Sequence, residues 1–226
     1  MREITLTILF SVLLFMMSSC GSVYRNDTSE SAIEAGFTGE IQVEAYLFDA
    51  KLRRDTKPTS VRLEFYHTDS VIAIAGRGYL GKGALRGRLS ADTLQVYFPT
   101  TDEYVYESVA TVLSSVKCSG QLPSINLLAL FNSLPDSVLS TSNLIVESDY
   151  SNQSRPEFRI MSENCLWEMR LKYSVEEEGW RIKEFEFDDG EGNTLKGKRR
   201  TYKRQAEVKA SKFYVPIKPG SQRIIL

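Results

Sequence analysis

Apolar residues alternate with polar ones through most of this chain, and that period of two restricts it to a largely antiparallel β architecture. Ile41, Val43, Ala45 and Leu47 share one parity while Gln42 and Glu44 share the other. Val61, Leu63 and Phe65 repeat the pattern against Arg62 and Glu64. Further runs at 71–75, 84–89, 93–98 and 104–106 are separated by Thr68-Asp69, the glycine-rich 76–83, Ala91-Asp92 and 99–102. Short strands joined by such turn residues predict a meander.

Near Glu107 the period changes. Val109, Val112, Leu113 and Val116, and then Ile125, Leu127, Leu128, Leu130 and Phe131, have helical spacing, with Pro123 and Pro135 bracketing the second group. Strands resume at 143–149, 156–162, 166–175, 180–187 and 194–204, with Glu178-Gly179 and 188–193 as turns. In the fourth of these the apolar parity flips, Trp180 and Ile182 being even and Phe185 and Phe187 odd, which predicts a bulge. Pro216 and Pro219 place the last extended piece, 212–226, along a sheet edge.

The first twenty residues stand apart from this pattern. One arginine precedes an apolar stretch from Ile4 to Met17, broken by Thr5, Thr7 and Ser11, which reads as a secretory signal too short for a membrane-spanning helix. It ends Met17-Ser18-Ser19-Cys20-Gly21, which resembles a bacterial lipobox and implies acylation of Cys20; an ordinary cleaved signal with an incidental cysteine is the alternative. Two or three acyl chains hold a protein stably on a membrane where one does not. The expected division is therefore a signal over 1–19, a lipidated tether and short helix over 20–36, and one domain over 37–226. In an oxidising compartment the remaining pair, Cys118 and Cys165, is expected to form a disulfide worth roughly 4 kcal/mol, two buried thiols being the other possibility.

Composition removes several functions. Lysine and arginine number 28 against 29 aspartates and glutamates, which gives no global attraction to nucleic acid. A single histidine, His67, leaves little room for His-based catalysis or a histidine zinc site, and its place at a strand end beside Asp69 reads as a surface or capping position. Gly76-Arg77-Gly78-Tyr79-Leu80-Gly81 matches a dinucleotide fingerprint by letters, but a strand rather than a helix follows, so a hairpin loop is expected. Ser114 to Lys117 and Ser162 to Asn164 echo penicillin-recognising enzymes without the lysine-threonine-glycine that completes the set. The acidic stretch 188–193 lacks calcium-loop spacing and reads as a tight hairpin, and Glu176 to Glu178 fall in a turn. No catalytic residue, metal or cofactor is expected. Between Lys196 and Lys218 nine basic residues accompany one acid, read either as a face toward anionic lipid or as a strand edge protected by charge.

The order of a lipobox, a short helix, six strands, a helical interruption and five more strands resembles the LolA and LolB superfamily of periplasmic lipoprotein carriers, most closely its LolB-like lipoproteins. The resemblance is carried by the 61–65 strand, the hairpin 71–89 ending in Arg88, and Ser90-Ala91-Asp92-Thr93-Leu94-Gln95-Val96-Tyr97, a small-Asp-hydroxyl turn opening the next strand. It implies a mainly β (α+β) fold in which a single antiparallel sheet of about eleven strands curves into an incomplete barrel, with a short N-terminal helix and a helical insertion as lid. It also implies an apolar concave face that takes acyl chains of lipids or lipoproteins. The expected wall is Leu63, Phe65, Ile72, Ile74, Leu94, Val96, Phe98, Trp167 and Met169, with Leu127, Leu128 and Phe131 as lid, each of which serves equally as ordinary core. The loop after the third strand, with Tyr79 and Leu80 at its tip between Arg77 and Lys82, corresponds by position to the family's membrane-facing loop. The implied setting is a monomer anchored on the periplasmic face of an outer membrane, with a periplasmic carrier as partner. The competing reading is a lipoprotein with a filled core that docks a protein through its sheet edge or basic C-terminal strand.

Overall fold

The computed structural model describes residues 39–54, 57–78, 81–109, 111–112, 129–139, 144–162, 166–177 and 179–225. Cys20, Cys118, Cys165, Tyr79, Leu80, Leu127 and Leu128 lie outside the described residues, as does the expected N-terminal helix. Among the described residues twelve strands form one large curved sheet that does not close into a barrel. They are β1 (Glu40–Arg54), β2 (Lys57–His67), β3 (Val71–Arg77), β4 (Gly83–Ser90), β5 (Thr93–Phe98), β6 (Glu103–Ser108), β7 (Leu144–Asp149), β8 (Glu157–Ser162), β9 (Glu168–Glu176), β10 (Gly179–Asp188), β11 (Thr194–Lys209) and β12 (Gln222–Arg223).

The spatial order is β12-β6-β5-β4-β3-β2-β1-β11-β10-β9-β8-β7. Strand β1 thus lies in the middle of the sheet, the chain meanders from it to one edge through β6, restarts at the opposite edge with β7 and meanders back until β11 pairs antiparallel with β1. Strand β12 adds to β6 in parallel, so the proline-bearing C-terminal segment does run to an edge. The first strand is longer than its alternation suggested, pairing with β11 from Glu40–Lys209 to Arg53–Thr194.

Turn chemistry acts where the sequence placed it. Thr68 Oγ1 donates to the Val71 carbonyl at 3.2 Å and accepts from the Val71 N–H, and Ser90 and Thr93 repeat the arrangement between β4 and β5. The GxGxxG segment is a hairpin connection, closed by Gly78 N–H to the Lys82 carbonyl at 2.9 Å. The parity flip in β10 is a bulge, its register against β9 shifting between Ile182 and Glu184. Pro135 does not end a helix. It begins one, α1 (Pro135–Val138), because a proline at the first helical position forfeits no intrahelical bond. Before it, Ala129–Phe131 form one 3-10 turn, η1.

Cross-strand partners share a face, so register assigns the two surfaces. On the core face Phe48, Leu63 and Gly76 follow one another across β1, β2 and β3, while Leu195, Phe187 and Met169 do so across β11, β10 and β9. Gly197, opposite Phe185 in this face, has no room for a side chain: a Cβ there would lie 2.3 Å from the Phe185 ring, itself 5.1 Å from Phe48. Gly197→Ala is expected to cost about 1–3 kcal/mol by overpacking, and Phe185→Leu in the same chain to return part of it, read by denaturant unfolding.

The basic run also differs from expectation. Strand β11 is interior to the sheet, and its exposed lysines meet acids directly across β10, Lys196 with Glu186 at 2.6 Å and Lys198 with Glu184 at 3.3 Å. The acid-rich and base-rich stretches are neighbouring strands, so their charge is spent on each other rather than on guarding an edge.

Candidate functional site: the core face and its polar wedge

The core face carries two apolar clusters. The larger spans β1, β2 and β7 to β11 and includes Tyr46, Phe48, Leu63, Phe158, Ile160, Trp167, Leu171 and Tyr173, with Phe65, Phe131 and Met169 partly buried against it. The smaller covers β4 to β6 with Leu85, Val96, Phe98 and Val105, and Ile74 and Leu94 pack on it. Ile72, paired with His67 on one side and Leu89 on the other, is buried beside it on the same face. Register puts Leu63, Phe65, Ile72, Ile74, Leu94, Val96, Phe98 and Met169 on one face, and Trp167 packs in the larger cluster. Each strand contributes alternate residues, and curvature brings the rows together.

Phe131 of η1 sits on an aromatic box, 5.4 Å from Tyr46, 5.3 Å from Phe65 and stacked at 5.9 Å on His67. Its segment is pinned by the buried Tyr173 hydroxyl, which donates to the Leu130 carbonyl at 2.8 Å. Burial pushes the Tyr173 phenol pKa up, so it remains a donor. Away from this end, Trp167 is 4% exposed and stacks on Phe187, but its indole N–H has no hydrogen-bond partner among the described residues. A buried donor left this way costs about 1–3 kcal/mol.

The polar residues of this region were not singled out from the sequence. The β10–β11 ladder runs from Asp188–Thr194 to Glu184–Lys198, and past it polar side chains fill the space between strands. Arg181 donates to Glu44 through Nε at 3.1 Å and Nη2 at 2.7 Å, Tyr202 donates to the same carboxylate at 3.0 Å, and Tyr46 donates to its other oxygen at 2.9 Å. Arg199 binds Glu176 and Ser174, and gives Nη1 to the Ile182 carbonyl at 3.0 Å. The Tyr202 ring lies within 5.8 Å of one guanidinium and 5.4 Å of the other. Burial pulls the Glu44 pKa up, but hydrogen bonds from His67, Arg181 and Tyr46 outweigh it and hold the carboxyl at about 2.

His67 is not a surface residue. It is 5% exposed, with Nδ1 3.5 Å from Glu44 and its ring under Phe131. The acid that faces it lies across β1 rather than next in sequence, which is why the neighbouring Asp69 misled. The network had one sequence signal, the β10 parity flip, which marks where the β9–β10 register shifts beside Arg181. Of the described loop residues, Arg77 pairs with Glu64 at 3.1 Å and Lys82 is exposed. In the turn 188–193 the Asp189 carboxylate accepts from the Glu191 and Asn193 N–H groups at 2.8 and 3.0 Å and from the Asn193 amide at 2.6 Å, the bonding of a tight hairpin.

Among the described residues no cluster of three or more histidines, cysteines or acids could hold a metal ion, and no helix is long and apolar enough to cross a membrane. No protein-family model matches the chain, and no curated protein matches it. Among solved structures it is similar to a DUF1329 family protein from Desulfovibrio piger, with 8% identity and a TM-score of 0.43 over 83% of this chain and 95% of that one. A conserved protein from Thermus thermophilus gives 12% identity and a TM-score of 0.42 over 86% and 95%. A LolA superfamily protein from Nitrosomonas europaea gives 9% identity and a TM-score of 0.39 over 79% and 94%.

Proposed function

We propose that this protein is a lipoprotein, anchored through an acylated Cys20 on the periplasmic face of an outer membrane, that binds acyl chains of lipids or lipoproteins against its core face. The observation that carries the reading is one face of an unclosed sheet that carries two apolar clusters. Leu94, Ile74, Phe65 and Met169 are only partly buried along it, and among the described residues one short segment, 129–139, packs over the larger cluster. An alkyl chain gains about 0.8 kcal/mol per buried methylene on such a wall. The Trp167 indole N–H is the one donor in this wall without a partner among the described residues, and the ester or amide carbonyl of an acyl group supplies the acceptor it lacks.

The test is native mass spectrometry of the chain from residue 21 onward, with a fluorescent fatty-acid ester as competitor. Co-purified acyl ligand is expected. Trp167→Phe is expected to weaken ester binding about threefold to tenfold with little change in the stability of the unliganded fold, since removal of the unsatisfied donor offsets the lost ring packing. A clean unliganded mass together with no uptake of the ester would mean that the face is filled core and that the protein works by docking a partner.

A further inference from the structure

The face opposite the core carries a cluster whose charges do not balance. After β11 the chain passes through a 3-10 turn, η2 (Ala210–Phe213), and crosses this outer face as a strap. Phe213 is buried with Val43 and Ala73, which sets η2 over β1 and β3, and Lys212 lies over the Tyr66 ring of β2 at 5.2 Å. The far end is fastened by Lys218 to Asp102 at 3.1 Å and by the pairing of β12 with β6. The strap therefore holds one cation, Lys212, against the sheet.

Register decides what that cation meets. Glu64 of β2 pairs with Ala75 of β3, and Ala75 with Arg86 of β4, so an acid and a guanidinium stand in one row with only a methyl group between them. Strands two places apart in a sheet are separated by about 10 Å, so β2 and β4 flank a trough. Its floor is Ala73 and Ala75, both buried. Arg77, next along this face of β3, brings Nε to 3.1 Å from one oxygen of Glu64; Tyr66 donates to the other at 2.7 Å, and Lys212 Nζ lies 3.8 Å from it. Glu64 is thereby engaged from three sides. Arg86, half-buried, makes no ion pair or hydrogen bond among the described residues.

Three cations, Arg77, Arg86 and Lys212, thus share one carboxylate. Burial lowers the Arg86 pKa and the charge of Arg77 lowers it further. Burial also lowers that of Lys212, where the charges of Arg86 and Arg77 work against the pull of Glu64. The strap cation and the β4 guanidinium therefore repel each other across the trough, and an anion between them relieves that repulsion.

We infer that this outer-face trough binds a phosphate group, held by the Arg86 guanidinium from β4 and the Lys212 ammonium from the strap, with Arg77 at its rim. One carboxylate against three cations leaves an excess that a single further carboxylate does not neutralise, whereas a phosphate carries about −1.5 to −2 at neutral pH. A guanidinium fork beside a point-charge ammonium suits its several oxygens. Because Arg86 belongs to the sheet and Lys212 to the strap, the bound group ties one to the other. The phosphate arrives either as the free ion or as the headgroup of a membrane lipid. The inference is independent of acyl binding on the core face, and each stands if the other fails.

The full chain, in an uncharged detergent, is titrated with inorganic phosphate by calorimetry, with chloride keeping the ionic strength constant. Its partition onto phosphatidylcholine vesicles with and without phosphatidic acid is measured in chloride alone. Saturable binding of inorganic phosphate, with slower hydrogen exchange over 210–217, is expected for the free ion. A gain in partition only with phosphatidic acid, lost with the cation variants below, assigns the lipid headgroup. Arg86→Gln is expected to weaken binding about tenfold or more, because fork and charge are both lost. Lys212→Gln is expected to weaken it about threefold to tenfold and serves if Arg86→Gln does not fold. Glu64→Gln removes the competing carboxylate and is expected to tighten binding about threefold to tenfold, a gain that loss of structure does not produce. No response to either phosphate source, unchanged affinity in the folded cation variants, or no gain in folded Glu64→Gln overturns the inference.

Discussion

Replacing Arg181 by leucine is expected to destabilise the protein by about 3 kcal/mol at neutral pH, a fall in Tm of roughly 6–12 °C. The side chain is 8% exposed and supplies two of the hydrogen bonds on Glu44. Its loss leaves a carboxylate in an apolar setting with only tyrosine and histidine donors, which costs more than the intact pair contributes. In the native chain the Glu44 pKa is held at about 2 against an ordinary 4.5, so its contribution is present above about pH 4.5 and lost as pH falls toward 2. In the variant, burial is no longer outweighed by the guanidinium and the pKa moves up. The gap between native and variant stability should therefore be widest at neutral pH and close as the pH drops from 4.5 to 2, measured by urea unfolding at each pH. Glu44→Leu with Arg181→Met should recover most of the loss; a double variant as unstable as Arg181→Leu would show that the network does more than neutralise a buried charge.

Gly190→Ala is expected to cost about 3 kcal/mol for a different reason. Its φ of +75° is left-handed, a strain of about 1–2 kcal/mol for an L side chain. In addition the new Cβ would lie 2.7 Å from the Leu166 carbonyl oxygen and 2.3 Å from the Leu166 Cβ, so backbone has to move. Gly192 provides the comparison, since its φ is +101° but nothing lies within 4 Å of a Cβ there. Gly192→Ala should pay only the strain, leaving the two variants at least about 1 kcal/mol apart. Leu166 directly precedes Trp167, so Gly190→Ala should also shift tryptophan emission while Gly192→Ala leaves it unchanged. Equal costs and equal spectra would mean that the turn does not press on Leu166.

The strands were legible because alternation is a local property. Residues such as Val61, Leu63 and Phe65 point one way whatever they meet, and one face must leave water. Turn residues were legible for the same reason: Thr68, Ser90 and Asp189 bond to backbone within four residues. The polar wedge was not legible. Glu44 and Arg181 are 137 positions apart, and nothing local distinguishes them from exposed strand residues. The outer-face trough needed the strap, whose Lys212 faces Tyr66 and Glu64 of β2 and Arg86 of β4.

The amino-acid order by itself determined an antiparallel sheet, its hairpins and its β10 bulge, since each follows from side-chain period and turn chemistry within a few residues. Only the tertiary structure decided that β11 closes against β1, which turned a basic run from a supposed edge into an interior strand neutralised by Glu184 and Glu186. It also buried His67 and set Arg86 and Lys212 over one trough. Those outcomes depend on which distant strands become neighbours, and that is fixed by the burial gained across the whole sheet rather than by any one segment.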